Sequence, residues 1–496
     1  MTQISASKPA AGRDVSQVRR WRAFAVLAVS FFMTIVDLAI VNVALPTIGR
    51  DLHMPESALQ WVVTGYGLTF GGFLLLGGRA ADLLGRRRIL MAGLAVFTAA
   101  SLGCGLATGE GLLIAMRFVQ GLGAAIVLPA ALSIVMNMFP EGAERNKALG
   151  VWGAIGASGA AVGVMAGGLL TRYAGWQYIF FLNVPVGAAA LALVPRIVPE
   201  SRRATARRRY DPFGAVTVTG GLSLLVYAVS TAPGAGWGTA RTISLLAASA
   251  ALLAAFVVIE ARVEAPLMPL RIFRLKTLAG ANAVGVLLGG GFFAYIFIGT
   301  LYMQQVLGYS ALTTGLAWLV MALSSVAFAG LSQALVTRGS AKLVMAAGMA
   351  MIGGGILWST RVPVHGHFWT SLAGPFIITG IGTAFAFVPV SIAGLAGVAE
   401  HEAGLASGLL NTSQQLGGAI GVAIASTIAA THATTLLHQG TAPAAALTSG
   451  FHWAFWACGA IGLAAIPVTF LLVRRNELAA AVATTSPKRQ PAPAKA

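Results

Sequence analysis

Two ionisable residues stand out because of what surrounds them. Asp37 sits within Val36-Asp37-Leu38-Ala39-Ile40-Val41-Asn42-Val43-Ala44-Leu45-Pro46, and Arg117 lies inside another long apolar run. Placing an ionised side chain at the centre of a bilayer costs about 2.5–3.5 kcal/mol on insertion scales. Burial favours the neutral acid, whereas a nearby arginine favours the carboxylate. A carboxyl group held between those pulls can exchange a proton when its surroundings change. Two readings fit Asp37 and Arg117: a static ion pair locking two helices, or a site of proton coupling and cation sensing. Arg117 lies near a helix end, where its guanidinium can also snorkel to the headgroups.

A second cluster is Gly77-Gly78-Arg79-Ala80-Ala81-Asp82-Leu83-Leu84-Gly85-Arg86-Arg87-Arg88. Its bland reading is an ordinary basic loop. The spacing is more specific: Gly78 and Gly85 flank the acid Asp82, and Arg86 and Arg87 are ready to pair across a closing interface. A gate latch that breaks and re-forms needs such residues. Gly159, Gly163 and Gly167 recur at i, i+4 and i+8, with Gly168 beside them. A small-xxx-small ridge of this kind lets two helix backbones approach closely, as tight packing or as a sliding face between rocking halves. Gly289-Gly290-Gly291 precedes Phe292, Phe293 and Tyr295, aromatics that read either as core or as the wall of an apolar cavity.

Other chemistry is not encoded. Cys104 and Cys458 lie far apart inside apolar runs, which suits small buried hydrophobes rather than a disulfide or zinc spacing. His365 and His367 form a loop pair without further ligands, so no metal site is expected. No Gly-x-x-x-x-Gly-Lys, Gly-x-Gly-x-x-Gly or Gly-x-Ser-x-Gly occurs. No cofactor is therefore expected, and uphill work would draw on an ion gradient. A membrane potential supplies about 2.3 kcal/mol per charge per 100 mV.

The elements that must position these residues follow from composition. The 496 residues are 57% hydrophobic and 10% charged, with 61 glycines, and the mean hydropathy is +0.80. Average soluble domains are roughly 25% charged, so this chain cannot cover the polar surface of a soluble fold. A spanning helix needs about 20 mostly apolar residues. That rule yields fourteen spans: 22–45, 58–78, 89–107, 112–137, 147–170, 176–195, 211–231, 241–260, 278–302, 312–336, 341–361, 368–396, 403–430 and 450–473. The first follows basic residues as a signal peptide would, but its length and the spans after it mark a retained helix.

The net charge of +18 would suggest nucleic acid in a soluble protein. Here the positives cluster between spans, so they report orientation and no nucleic-acid partner is expected. With both termini cytoplasmic, 28 of the 33 lysines and arginines fall inside, and only Arg50, Arg172, Arg241 and Arg361 fall outside. A miscounted helix would invert that bias downstream of the error, and it holds to the C-terminus.

The expected organisation is an all-α polytopic membrane protein with two six-helix halves and a central inserted helix pair. Residues 1–21 form a cytoplasmic tail, 22–195 the first bundle, 196–210 a basic linker and 211–261 the inserted pair. A basic loop at 262–277 leads to the second bundle at 278–473 and a tail at 474–496, whose end, Thr484 to Ala496, has a disorder-prone composition. Gly150, Gly159 and Gly163 match Gly408, Gly417 and Gly421 at one constant offset, in helices of the same ordinal place in each half. Parallel halves around a midplane site are a transporter architecture.

Over residues 20–475 the chain resembles the major facilitator superfamily, in its fourteen-helix drug:proton antiporter branch. Asp37 to Pro46 is similar to the family's helix 1 motif, with Ala39 where threonine is usual. Residues 78–88 match the motif between helices 2 and 3, and Arg117-Phe118-Val119-Gln120-Gly121 opens a match to the helix 4 motif, whose arginine the family associates with proton transfer. Further similarity runs through Trp61 to Tyr66, Gly175 to Phe180, Asn183-Val184-Pro185, Tyr302 to Gly315 and Ser407 to Gly421. The helix 5 antiporter motif departs from the pattern, with Val164 in place of its proline, and Gln177 and Tyr178 replace the usual Arg-Trp.

The resemblance implies a proton-driven exporter of hydrophobic drugs or secondary metabolites in the cytoplasmic (inner) membrane, working by alternating access, and not an enzyme. Partners would be protons, membrane lipid and a small hydrophobic substrate, neutral or monocationic because Asp37 is the one acid deep in a span. No obligate protein partner is evident. Asn42, Gln414, Gln415 and the helix 9 aromatics would reach the substrate. The rival readings are a proton-coupled importer of a small solute and, in another class, a non-transporting membrane sensor or scaffold.

Overall fold

The computed structural model describes residues 11–54, 56–139, 143–200, 211–263, 266–336, 341–398 and 402–474. The expected segments 1–10 of the N-terminal tail, 201–210 of the linker and 475–496 of the C-terminal tail lie outside them. The first half contains α1 (Ala11–Asp51), α2 (Glu56–Leu84), α3 (Arg86–Gly105), α4 (Glu110–Met138), α5 (Ala143–Tyr173) and α6 (Gln177–Ile197). Then come α7 (Pro212–Ala235) and α8 (Ala240–Arg262). The second half has α9 (Lys276–Leu301), α10 (Ala311–Leu335), α11 (Ala341–Trp358), α12 (Ala373–Ala393), α13 (Ala403–His438) and α14 (Pro443–Leu472).

Thirteen helices among the described residues are long and apolar enough to cross a membrane. The remaining long helix, α5, has 31 residues and holds the place of the expected fifth span. Several helices overrun their apolar cores, because a hydropathy window stops at polar residues and helix hydrogen bonding does not. The clearest case corrects the sequence reading. Asp82 is not in a loop but on the last turn of α2, and Arg86, Arg87 and Arg88 open α3. Only Gly85 separates the two helices, at φ +107°, a conformation that glycine adopts without strain.

Helix α6 is broken at Leu182 into Gln177–Phe181 and Asn183–Ile197. Pro185 falls in the first turn of the second piece, where it has no N–H to donate back to the Phe181 carbonyl and so interrupts the ladder of helix hydrogen bonds. The break puts Asn183 at a helix start facing inward, 2% exposed. Asp211 caps α7 by accepting from the Gly214 N–H at 2.8 Å, with Pro212 as its first residue. Thr239 caps α8 in the same way.

The inserted pair is an amphipathic device of a membrane kind. On α8 the buried residues are Thr242, Ser249, Phe256 and Glu260, a narrow stripe at near-heptad spacing. Ser249 Oγ on that stripe donates to the Gly221 carbonyl of α7 at 2.8 Å. The rest of α8, with Ile243, Val257 and Val258 exposed, faces lipid. Helix α7 lies along α2, where Val226 meets Gly71 and Tyr227 stacks on Trp61 at 5.6 Å. It also reaches the second half, because Trp237 Nε1 in the α7–α8 turn donates to Thr427 Oγ1 of α13 at 2.8 Å.

The glycine repeat has a structural meaning. A Cβ on Gly159 would lie 2.6 Å from Ile35, and one on Gly163 or Gly167 would lie 2.7 Å from the carbonyl of Val36 or Ile40. The ridge therefore seats α5 on α1. In the second half, Gly417 and Gly421 seat α13 on α9, against the carbonyls of Val286 and Gly290. The first glycine of each triplet faces the opposite half: Gly150 meets Gln333 of α10, and Gly408 meets Leu74 and Leu75 of α2. Of the two readings of Gly159, Gly163 and Gly167, the geometry is that of tight helix packing and not of a sliding face between halves. They join two helices of one half, since only a glycine ridge lets α1 and α5 approach this closely. Gly168, adjacent to them, is buried as well.

Gly163→Val drives a side chain into the α1 backbone and is expected to cost about 1–3 kcal/mol. Gly330, also helical, has nothing within 4 Å of its added Cβ, so Gly330→Ala is expected to be neutral or to gain about 0.5–1 kcal/mol. Thermal unfolding of the two purified variants in detergent checks this, and equal melting temperatures would contradict the α1–α5 contact.

Candidate functional site

Asp37 on α1 and Arg117 on α4 meet, with Arg117 Nη1 donating to Asp37 Oδ2 at 2.8 Å. The carboxyl's other oxygen, Oδ1, accepts from Gln120 Nε2 at 2.8 Å and from Asn183 Nδ2 of α6 at 2.7 Å. Gln120 closes the ring: its Oε1 accepts from Arg117 Nη1 at 2.7 Å, and its Nε2 also donates to Ser101 Oγ of α3 at 2.7 Å. Arg117 Nε donates to the Val62 carbonyl of α2 at 2.8 Å. Its guanidinium lies 4.2 Å from the Tyr66 ring centroid and 5.8 Å from that of Phe180. Asp37 and Gln120 are fully buried and Arg117 is 1% exposed. Arg117 thus does not snorkel to a headgroup. Its position near the helix end allows that, but the carboxylate and the Val62 carbonyl hold it inside.

Taking two such charges out of water costs several kcal/mol per ion, so each remaining lone pair and N–H needs a partner. Here Asp37 accepts three hydrogen bonds from α4 and α6. This shell is built for a carboxylate. A proton arriving on Asp37 would meet donors on every side, so protonation must be accompanied by movement of Arg117, Gln120 or Asn183. The arrangement can therefore link a proton to the relative positions of α1, α4 and α6.

Sequence reading reached Asp37 and Arg117 but not the rest of this ring. Gln120 and Asn183 lie within stretches that carry the family resemblance, and Gln120 is one turn from Arg117, a signal for a shared face. Ser101 gives no such signal, because a serine in an apolar helix commonly bonds its own backbone. Its Oγ does so here, donating to the Phe97 carbonyl at 2.8 Å.

The second cluster lies at the end of the bundle that gathers the basic loops. Asp82 Oδ1 accepts from Arg86 Nε at 3.2 Å and Nη2 at 3.0 Å. Its Oδ2 accepts from the Leu405 N–H at 3.1 Å, in the first turn of α13. A carboxylate from one half thus caps a helix N-terminus of the other, where unpaired N–H groups and the helix dipole favour negative charge. Gly78 lies on the same seam, its Cα 3.8 Å from a Cβ placed on Gly408. Arg87 does not join this latch as expected. It lies 3.7 Å from Glu200 Oε2 and donates to the Val198 carbonyl at 3.3 Å, because the turn at Gly85 aims it at the chain after α6. The Gly85 position itself faces Glu200.

The expected substrate contacts scatter. Asn42 is exposed on α1 and donates to its own helix at Leu38. Gln414 and Gln415 are half-buried on α13, with Gln414 beside Gly285 of α9. Phe292 and Tyr295 do not line a cavity. They are 2% and 0% exposed, and Tyr295 packs among Trp318, Phe376 and Phe455 with its hydroxyl 2.9 Å from Ser359 Oγ. Both are oriented into the bundle core by helix phase, a property their spacing shares with cavity walls. Phe293 is half-buried against Gly418.

A family model described as Major Facilitator Superfamily matches residues 27–422. The chain is similar to the puromycin resistance protein pur8 of Streptomyces alboniger, 38% identical over 93% of this chain and 93% of that one. It is also similar to the cephamycin export protein CmcT of Amycolatopsis lactamdurans, 38% identical over 84% of this chain and 86% of that one. In fold it matches the crystal structure of the human organic anion transporter MFSD10 (TETRAN), with a TM-score of 0.64 and 15% identity over 91% of this chain and 99% of that one.

Arg117→Met leaves Asp37 buried without a counter-charge and is expected to cost about 3–5 kcal/mol. Asn183→Ala removes one hydrogen bond to a charged acceptor, worth about 1.5–3 kcal/mol. The melting temperature in detergent should fall in both variants and further in Arg117→Met. An unchanged value for Arg117→Met would contradict the buried pair.

Proposed function

The chain belongs to the Major Facilitator Superfamily, and we propose that it couples substrate export to proton entry through the Asp37 ring. It is a multi-pass membrane protein and a secondary transporter that exports drugs or metabolites, not an enzyme. The observation that carries the coupling is the burial of Asp37 among Arg117, Gln120 and Asn183, all within 2.8 Å of its oxygens. The names of the two relatives, one for puromycin resistance and one for cephamycin export, support an antibiotic-like small-molecule substrate.

In this reading the basic end is cytoplasmic in the inner membrane, following the positive-inside bias. The latch of Asp82 on Leu405, with the Gly78–Gly408 approach beside it, closes that side. A proton on Asp37 weakens its hold on Arg117 and Asn183 and frees α1 to shift. Helix α5 is seated on α1 by its glycine ridge and must follow. The other face of α5 meets α10 at Gln333 and α12 at Val388, so the shift reaches the interface between halves and biases alternating access. Arg117 occupies Asp37 fully, which leaves that acid no capacity to neutralise a dication and favours a neutral or monocationic substrate. Asn42 and Gln415, polar and not buried, are its proposed contacts.

Inverted vesicles energised to acidify their lumen test this. Adding hydrophobic dyes or antibiotics should release lumenal protons with the wild type. Asp37→Asn should reach the membrane and lose that release by at least tenfold, given that coupled proton transfer is absent rather than slowed. Full release in Asp37→Asn would make the buried pair a structural lock. Substrate-driven movement in the opposite sense would make the protein an importer.

A further inference from the structure

The inserted pair takes no part in the Asp37 ring, yet it is tied to the seam that Asp82 closes. Glu260 stands in the last turn of α8, 4% exposed. Its two oxygens accept from consecutive peptide groups of the loop ahead: Oε1 from the Leu267 N–H at 3.1 Å and Oε2 from the Met268 N–H at 2.9 Å. Two hydrogen bonds to adjacent peptide groups tie this stretch of loop to the end of α8. Leu267 and Met268 are themselves buried in the apolar core.

What this loop holds on either side is the significant point. The carbonyl of Pro266, immediately before the pinned peptides, accepts from Arg79 Nη2 at 3.1 Å. Arg79 follows Gly78 on α2, on the first half's side of the seam. Beyond the pinned peptides, Arg271 Nη2 donates to Glu402 Oε1 at 3.0 Å. Glu402 immediately precedes α13, close in sequence to Leu405, whose N–H is held by Asp82. The segment 266–271 therefore grips α2 at one end and the start of α13 at the other, while Glu260 fixes its middle to the inserted pair. Separation of α2 from α13 must break one of these grips or pull α8 along.

We propose that Glu260 is a positioning residue of the gate, which through the strap 266–271 couples the inserted helix pair to closure of the seam between α2 and α13. The inserted helices then set how readily the transporter opens on its basic side. This rests on the reading of the Asp82–Leu405 seam as the transport gate, and the test separates the two.

The reporter is Leu75→Cys, at a seam residue 3% exposed, in a full-length Cys104→Ala/Cys458→Ala background. Its labelling by a membrane-impermeant maleimide is followed in inverted vesicles. Met345→Cys, fully buried near the basic end of α11, reports general loosening of the fold in parallel. Glu260→Ala and Arg79→Ala should each speed labelling at position 75 by about three- to tenfold without changing position 345. Glu260→Gln, which keeps one acceptor oxygen, should fall between. The double variant should label no faster than the faster single one, because both act on one strap. If Asp82→Asn speeds labelling and Glu260→Ala does not, the strap is overturned and the gate stands. If neither does, the gate reading falls as well. Equal acceleration at positions 75 and 345, or additive effects of Arg79→Ala and Glu260→Ala, would reduce Glu260 to an anchor of the fold and overturn the proposal.

Discussion

A carboxylate removed from water needs a counter-charge and a donor for each lone pair, and Asp37 can satisfy that only by gathering helices. Its partners come from α4 and α6. Through Gln120 the ring reaches α3, and through Arg117 it reaches the backbone of α2. One buried group thus holds five helices of the first half in register. Lipid supplies no substitute, since the hydrocarbon interior offers neither hydrogen bonds nor charge. The same demand makes the ring responsive, because adding a proton removes the reason for its geometry.

The remaining contacts are chiefly shape. Between apolar helices in lipid the hydrophobic effect gives little discrimination, and close backbone approach decides which helices pair. The glycine triplets of α5 and α13 do this twice, with two positions facing the first helix of the same half and one facing the opposite half. The two halves thereby repeat one packing rule, and the polar Asp82–Leu405 contact secures the seam at one end only. The inserted pair rests on that seam, against α2 along α7 and against α13 through Trp237.

Much of this was legible in the residues. The fourteen spans follow from runs of apolar residues long enough to cross a bilayer, and the constant glycine offset marked the two halves. Asp37, Arg117 and Asp82 stood out because charge in or beside such runs is costly and demands a reason. The extent of the helices was less legible, since α2 continues past its apolar stretch to carry Asp82.

The sequence by itself determined the class of protein, the number of helices and the presence of a buried acid, because each depends on local composition summed along the chain. Tertiary structure alone decided the partners. That Asn183 rather than a residue of the second half completes the Asp37 ring, that Arg87 turns to Glu200, that Tyr295 faces the bundle core, and that Glu260 grips a loop joined to both halves all depend on helix phase and on which helices lie side by side. Those are set by side-chain shape across residues far apart in the chain, and no spacing along one segment records them.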